Sequence, residues 1–460
     1  MTMNKNPKSE NLPPRLAGLA VIIVTFFTVL FSRLSYAVDE ALDEKGRPIT
    51  ISQGIKMVLA DSRLIKIALS DNEMAYQDSL IARSALLPRL GIDATKTYLR
   101  FQPASKSGSQ AINTGEKDPV SYGFDVYQTL FDFSKNISNY RASEEMVKAY
   151  KANTESVKRV ATLEFIVAYF DLLEAEKMIT VFEKELESIA SYLNDIERLF
   201  EQGVVVKNDL LPAKLRLADV KQRLIASRNE RMVACVRLNN ILALPLRERT
   251  IAQDIEMQPP EFPEMEDAWK TAQAQRPEVM FYQDQLQASA LTERAKAAEN
   301  LPVVFAQGGY SYTQNRYQAR DDNFSAVLGA KMDLYDGGLA RAQLVKERSR
   351  KQKLKEQKDK LIEDIKFEIE DSYFGLKNAS EKVLVAKETL AQAEENVRFY
   401  RVKYNAGSAT PTEVLEAIAQ QAMAQTNYYS SDYELKRSYA KLMYSMGIDL
   451  TLIYERMERR

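Results

Sequence analysis

One pattern occurs twice in this chain, and no other feature constrains its fold as strongly. Leu130-Phe131-Asp132 recurs as Leu334-Tyr335-Asp336, Tyr169-Phe170-Asp171-Leu172 as Tyr373-Phe374-Gly375-Leu376, and Phe200-Glu201-Gln202-Gly203 as Tyr404-Asn405-Ala406-Gly407. All three pairs lie 204 residues apart, and Glu164 with Glu368 and Leu238 with Leu442 keep that spacing. A register held so long without a gap marks a duplicated structural unit. Upstream the spacing becomes 214, pairing Leu87-Pro88 with Leu301-Pro302 and Tyr98 with Tyr312, so the first copy carries ten extra residues between Tyr98 and Leu130. The Ser/Gly/Lys-rich stretch from Ser105 to Lys117 is expected to hold them as a longer surface loop. Pro259, Pro260 and Pro263, between Glu256 and Asp267, mark the linker between copies.

The N-terminus reads as an address. Lys5, Lys8 and Arg15 precede an apolar stretch from Leu16 to Phe31, and Ser35-Tyr36-Ala37 supplies small residues at the cleavage positions. This is the layout of a secretory signal peptide over residues 1–37, and the apolar stretch is short for a membrane anchor. The first repeat then covers 38–258 and the second 259–460. No later apolar run is long enough for a spanning helix, so an exported chain that enters a bilayer does so as strands.

Within each copy the hydrophobic period changes. Val120, Tyr122, Phe124 and Val126 alternate with polar or small residues, as do Phe324, Ala326, Leu328, Ala330, Met332 and Leu334. Period two predicts strands, each with an upstream partner, Leu90 to Phe101 and Val303 to Thr313. The two β-hairpins occupy about 88–133 and 302–336. Ser134 to Phe200 and Ala340 to Tyr404 are rich in Ala, Leu, Glu, Lys and Gln without proline, which predicts very long helices. Scarce Gly (16) and Pro (15) agree with long uninterrupted elements. Each long helix turns at Gly203 or Gly407 into a returning helix, so the helical hairpins occupy about 134–243 and 337–448. Shorter helical stretches, Ile51 to Leu86 and Met265 to Glu299, are expected to break near Asp71-Asn72 and at Pro277.

Four strands cannot close a barrel, since spanning barrels start at about eight and an open sheet in lipid leaves edge groups unpaired. Long amphipathic helices must likewise bury their stripes against neighbours. Assembly of two, three or four copies answers both needs.

With these features in place, the chain resembles the TolC family of outer-membrane factors over essentially all of residues 38–460. The resemblance rests on the duplicated unit, the Leu-Phe/Tyr-Asp strand ends, the Asp336-Gly337-Gly338 entry into the long helix, and the turns Phe200-x-x-Gly203 and Tyr404-x-x-Gly407, the last running into Glu413-Val414-Leu415-Glu416. It implies a mixed α and β membrane protein: a homotrimer with a 12-stranded β-barrel in outer-membrane lipid and a periplasmic α-helical coiled-coil tunnel. Its implied role is the exit duct of a tripartite efflux system, or of type I protein secretion, with a periplasmic adaptor at the helical tips and an inner-membrane pump or ABC exporter supplying energy. A periplasmic coiled-coil adaptor is a remoter reading, disfavoured by the two membrane-length β-hairpins.

Composition agrees with a duct. With no histidine and a single Cys235, the usual general base, the commonest metal ligand and any internal disulfide are missing. No catalytic constellation, cofactor site or metal site is expected, and a formal net charge of −1 gives no reason to expect nucleic acid. Cys235 reads as a helical core thiol, and charge-rich runs such as Lys346 to Lys360 as solvated helix faces.

The candidate functional residues cluster at the turns. Gly203 and Gly407 serve as helix C-caps on any reading. The resemblance makes Gly203, Val204, Val205, Gly407, Ser408 and Ala409 the adaptor-docking tips, and three consecutive apolar residues, Val204 to Val206, are unusual at an exposed turn. Pore and gate candidates are Asn208, Asp209, Tyr404, Glu413 and Glu416. Glu413 and Glu416 match family positions that ring the tunnel constriction, although Thr410-Pro411-Thr412-Glu413 is also a capping box and Asp209 can complement a helix N-terminus. Ala409 stands where some family members carry an arginine, so their closed-state hydrogen bonding does not transfer.

Overall fold

The computed structural model describes residues 46–257 and 262–458. The expected signal peptide, and Pro259 and Pro260 of the expected linker, lie outside these residues. In chain order the first copy comprises Arg47–Ile49 (β1), Ile51–Asp61 (α1), Arg63–Ser84 (α2), Arg89–Lys96 (β2), Ala104–Ser107 (β3), Gln110–Asn113 (β4), Val120–Phe131 (β5), Lys135–Glu201 (α3) and Lys207–Ile241 (α4). Thr250–Ala252 (β6) closes the first copy, and the second comprises Met265–Gln275 (α5), Pro277–Ala297 (α6), Val303–Thr313 (β7), Asp322–Lys331 (β8), Leu339–Asn405 (α7), Pro411–Ser445 (α8) and Leu450–Glu458 (α9). No helix among the described residues is long and apolar enough to cross a membrane.

The repeated strand-end motif has a physical reason. Its aspartate caps the long helix that follows: Asp132 accepts the Asn136 N–H at 2.9 Å, and Asp336 accepts those of Gly338 and Ala340 at 2.9 and 2.7 Å. A carboxylate there satisfies first-turn donors and complements the helix dipole. Each helix then runs 67 residues, about 100 Å at 1.5 Å per residue.

Three sequence expectations are corrected. The break in the first short helical stretch falls at Ser62, and Asp71-Asn72 lies inside α2. Its counterpart Arg276 precedes Pro277, and 62 and 276 are again 214 apart, so the repeat spacing carried the signal that local composition did not. The extra residues of the first copy do not form a plain loop: β3 and β4 pair as an antiparallel hairpin. That hairpin's segment is tied to the second copy's β7–β8 loop, where the Asn315 amide donates to the Thr114 carbonyl at 3.1 Å and the Gln102 amide to the Tyr317 hydroxyl at 2.8 Å. Finally, β2 ends at Lys96, short of Phe101.

The main sheet has the order β2-β5-β7-β8, antiparallel throughout. Its central seam joins the two copies, where Tyr122 stacks on Tyr312 at 4.7 Å and Tyr127 on Phe305 at 5.4 Å. The outer edges of β2 and β8 have no partner strand among the described residues, and apolar residues near them stand open: Ile92 is 83% exposed and Leu328 75%.

The helices form a layer with matching edges. In the half next to the sheet the packing order is α2-α3-α6-α7, and in the half next to the turns it is α4-α3-α8-α7. A further layer lies over one face at mid-length, made by the parallel β1–β6 pair with α1, α5 and α9. Its core holds Ile51, Phe165, Tyr169, Phe170, Tyr433 and Tyr454. Gly54 lets α1 approach α3, because a Cβ there would lie 2.0 Å from the Phe165 ring. The buried Tyr169 hydroxyl donates toward the Gln253 carbonyl at 2.7 Å and the Ile49 carbonyl at 2.9 Å, and accepts the Gln253 N–H at 2.8 Å, tying both strands of that layer to α3.

Candidate functional site

The two turns at the far end of the helical layer are built alike. In the first, Gly203 (φ +73°) donates to the Phe200 carbonyl at 3.0 Å and Val204 to that of Leu199 at 2.9 Å. In the second, Gly407 (φ +75°) donates to Tyr404 and Ser408 to Lys403, both at 2.9 Å. Both are complete Schellman caps, in which glycine takes the left-handed position at least cost.

Beyond the caps the turns diverge. Val204 and Val206 are 67% and 64% exposed, while Val205 tucks half-buried against a tip core that includes Ile189, Ile196, Leu210 and Val414. The expectation of three exposed valines is thus corrected to two, because the middle residue of the turn points back between the helices. Ser408 is exposed and Ala409 half-buried in the second turn, so the apolar tip belongs to the first copy alone.

The returning helices also begin differently. Thr410 and Glu413 form a full capping box: the Glu413 carboxylate accepts the Thr410 N–H at 2.7 Å and its hydroxyl at 2.9 Å, and the Glu413 N–H donates back to that hydroxyl at 3.4 Å. The Thr410 N–H, then its hydroxyl, hold the Glu413 carboxyl below the usual carboxylate range. In the first copy Asp209, half-buried, accepts the Val206 N–H at 3.2 Å, but the Val206 side chain has no acceptor to offer in return. Asn208 beside it is exposed.

Sequence reasoning missed the stripe to which the acids belong. Over its first five turns α8 is covered on nearly every side, and its exposed positions are Thr412 and then Glu413, Glu416, Gln420, Met423 and Asn427. The alternating spacing of three and four puts the last five on one narrow wet face. That period was legible, but only packing shows that every other face is covered. Gln420 donates to Glu416 at 3.3 Å along this stripe. Tyr404 is not on it: half-buried, its ring lies 5.3 Å from that of Tyr192 at 65°, and neither hydroxyl has a partner among the described residues.

This helical layer, with its open four-stranded sheet and duplicated architecture, has known counterparts. Residues 54–244 and 269–448 match the outer membrane efflux protein family, one block in each copy. The chain belongs to that family. The outer membrane protein TolC of Escherichia coli (strain K12) is 21% identical over 405 residues, 82% of this chain and 80% of TolC. The fold resembles the solved structures of CusC, described as forming a transmembrane channel (TM-score 0.76, 16% identity, 87% of this chain and 92% of CusC), and of the Campylobacter jejuni CmeC outer membrane channel (TM-score 0.77, 14% identity, 89% of both chains). As an outer membrane efflux protein, the chain is a channel component and not an enzyme.

Proposed function

We propose that this outer membrane efflux protein works as a homotrimer with a 12-stranded barrel in the outer membrane and an α-helical tunnel in the periplasm, each of the two repeats contributing one hairpin of each kind. One observation carries the reading. The sheet and the helical layer are open at corresponding edges, β2 with α2 and α4 on one side, β8 with α7 on the other. A single head-to-tail contact, repeated around a ring, closes both layers at once, and three copies reach the strand number of a closed barrel. The mid-length layer covers one face only, which becomes the outside of the tube.

In this assembly the wet stripe of α8 faces the lumen. Glu413 and Glu416 become rings of three carboxylates at the periplasmic end, with Asp209 and Asn208 nearby, and such rings attract cations. Tyr404, against Tyr192, belongs to the packing that must rearrange when the tips open. The tips themselves, Gly203, Val204, Val205, Gly407, Ser408 and Ala409, receive a periplasmic adaptor, and an inner-membrane pump supplies the energy. Passage is then diffusion through a water-filled duct.

Outer-membrane fractions should contain a trimer that conducts ions in planar bilayers. Glu416→Gln is expected to lower cation over anion preference about two-fold without reducing trimer yield, read from the reversal potential under a salt gradient. An unchanged reversal potential would remove Glu416 from the lumen.

A further inference from the structure

The half of α7 next to the sheet carries a charge that the duct role does not use. From Lys346 to Lys360 there are eight basic residues against three acidic ones. Part of this charge is gathered into a groove between α6 and α7, with a volume of about 550 Å³, lined by Arg348, Lys351, Lys355 and Lys358 beside Leu286 and Glu293. Glu293 engages Arg348 at 3.0 Å and Lys351 at 3.1 Å. Lys355 and Lys358 have no acidic partner within ion-pair distance among the described residues, and Asp359 is the remaining acid of the groove. At the 204-residue spacing the first copy has Glu144, Val147, Lys151 and Thr154, of which Val147 and Thr154 are buried in the protomer. The basic groove is therefore a property of the second copy and not of the repeat.

Its orientation follows from helix geometry. Lys366 lies under the Trp269 ring of α5, 5.5 Å from its centroid, on the face covered by the mid-length layer. Lys355 and Arg348 precede Lys366 by about three and about five whole turns, so they share that face. On the proposed trimer this is the outer wall, between barrel and mid-length layer. Lys351 to Lys358 lie roughly 18–28 Å along α7 from its start beneath the barrel, whereas the polar zone of one leaflet is only about 5–8 Å deep. Lipid headgroups do not reach the groove. On that reading the anionic polymer within reach of the outer wall at this depth would be the periplasmic cell wall, whose peptide stems carry free carboxylates.

We infer that the α6–α7 groove docks the duct onto carboxylate groups of the cell wall, three grooves around the trimer acting as one multivalent collar. The inference rests on the trimeric outer-membrane reading above. The test uses detergent-purified full-length protein and isolated peptidoglycan sacculi in a co-sedimentation assay. Wild-type protein should sediment with sacculi at low salt, and be released by high salt or when the wall carboxylates are amidated. The triple variant Lys351→Gln/Lys355→Gln/Lys358→Gln should bind about tenfold more weakly. Lys346→Gln/Lys353→Gln/Lys360→Gln, which removes three exposed lysines from the opposite side of the same helix, should bind like wild type. Equal loss in both triples, retention on amidated sacculi, or co-flotation with anionic vesicles that depends on the groove lysines would each overturn the assignment. Trimer formation and bilayer conductance are measured on the same samples. A conducting trimer that ignores sacculi sinks this inference alone, and loss of both trimer and conductance in the wild type sinks the trimer reading first.

Discussion

Helices α3 and α7 have the same length, start on the same aspartate cap and end in the same Schellman turn, yet they occupy different physical situations. Twenty-one residues of α3 are buried within the protomer, against nine of α7. Phe170 is fully buried and its repeat partner Phe374 is 59% exposed. Alongside Phe374, α7 leaves Phe367, Val385 and Val402 open at 73%, 64% and 65%. Duplication supplied two copies of one helix, and packing made the first the spine of a protomer and the second its edge. An edge so apolar is stable in water only when another surface covers it.

The largest expected effect tests that division directly. Phe170→Ala should cost about 3–5 kcal/mol of protomer stability, enough to prevent accumulation of folded protein, measured by protease resistance and urea denaturation. Phe374→Ala should leave the protomer's protease resistance near wild type and lower the temperature at which the oligomer dissociates. If Phe374→Ala unfolds the protomer as severely as Phe170→Ala, the contrast between spine and edge is wrong.

At the tips the expected asymmetry is functional. Val204→Asp, on the exposed apolar turn of the first copy, should cut export in cells about tenfold with trimer yield unchanged, because a charge on an apolar docking patch must be desolvated on contact. Ser408→Asp, the matching change on the polar second turn, should have a weaker effect, and equal loss from both would count against a first-copy docking surface. Val205 is a poor probe, since its half-buried side chain supports the tip core.

The smallest effects concern the starts of the returning helices. Thr410→Ala removes the hydroxyl of the α8 capping box and should destabilise that end by about 1 kcal/mol, whereas Val206→Thr should stabilise the start of α4 by a similar or smaller amount. Amide exchange in the first turn of each helix would read both. The Glu413 half of the box is also pH-dependent. Its folded carboxyl titrates below the ordinary glutamate range, so its contribution is present above that range and disappears as pH falls through the lowered folded value. First-turn amides of α8 should therefore lose protection on acidification below pH 4.5, and an acid-insensitive first turn would contradict the role of the Thr410 hydrogen bonds.

Much of the candidate site was legible because it is local. Gly203 and Gly407 at helix ends, and Thr410 with Glu413 three residues on, are patterns whose geometry follows from a few consecutive residues. The break at Ser62 was hidden from local composition but present in the 214-residue spacing to Arg276, the residue before Pro277. The β3–β4 hairpin left no comparable trace, since its segment, rich in Ser, Gly and Lys, pairs alongside a loop from the other copy that is remote in sequence. The burial of Val205 and Tyr404 was unreadable for a similar reason: whether a turn residue faces water or the core depends on helices that meet it from hundreds of residues away.

By itself, then, the sequence determined the duplicated unit, the order and lengths of its helices, the strand pairs and the caps that start and end them, all of which follow from periodicity and backbone preference. Only the tertiary structure decided which copy is spine and which is edge, that α8 keeps one wet face, that the charge of α7 gathers in a groove, and that sheet and helical layer open on matching sides. Those properties depend on which side chains meet across distant segments, and two copies of one pattern cannot record in themselves which will be covered by the other.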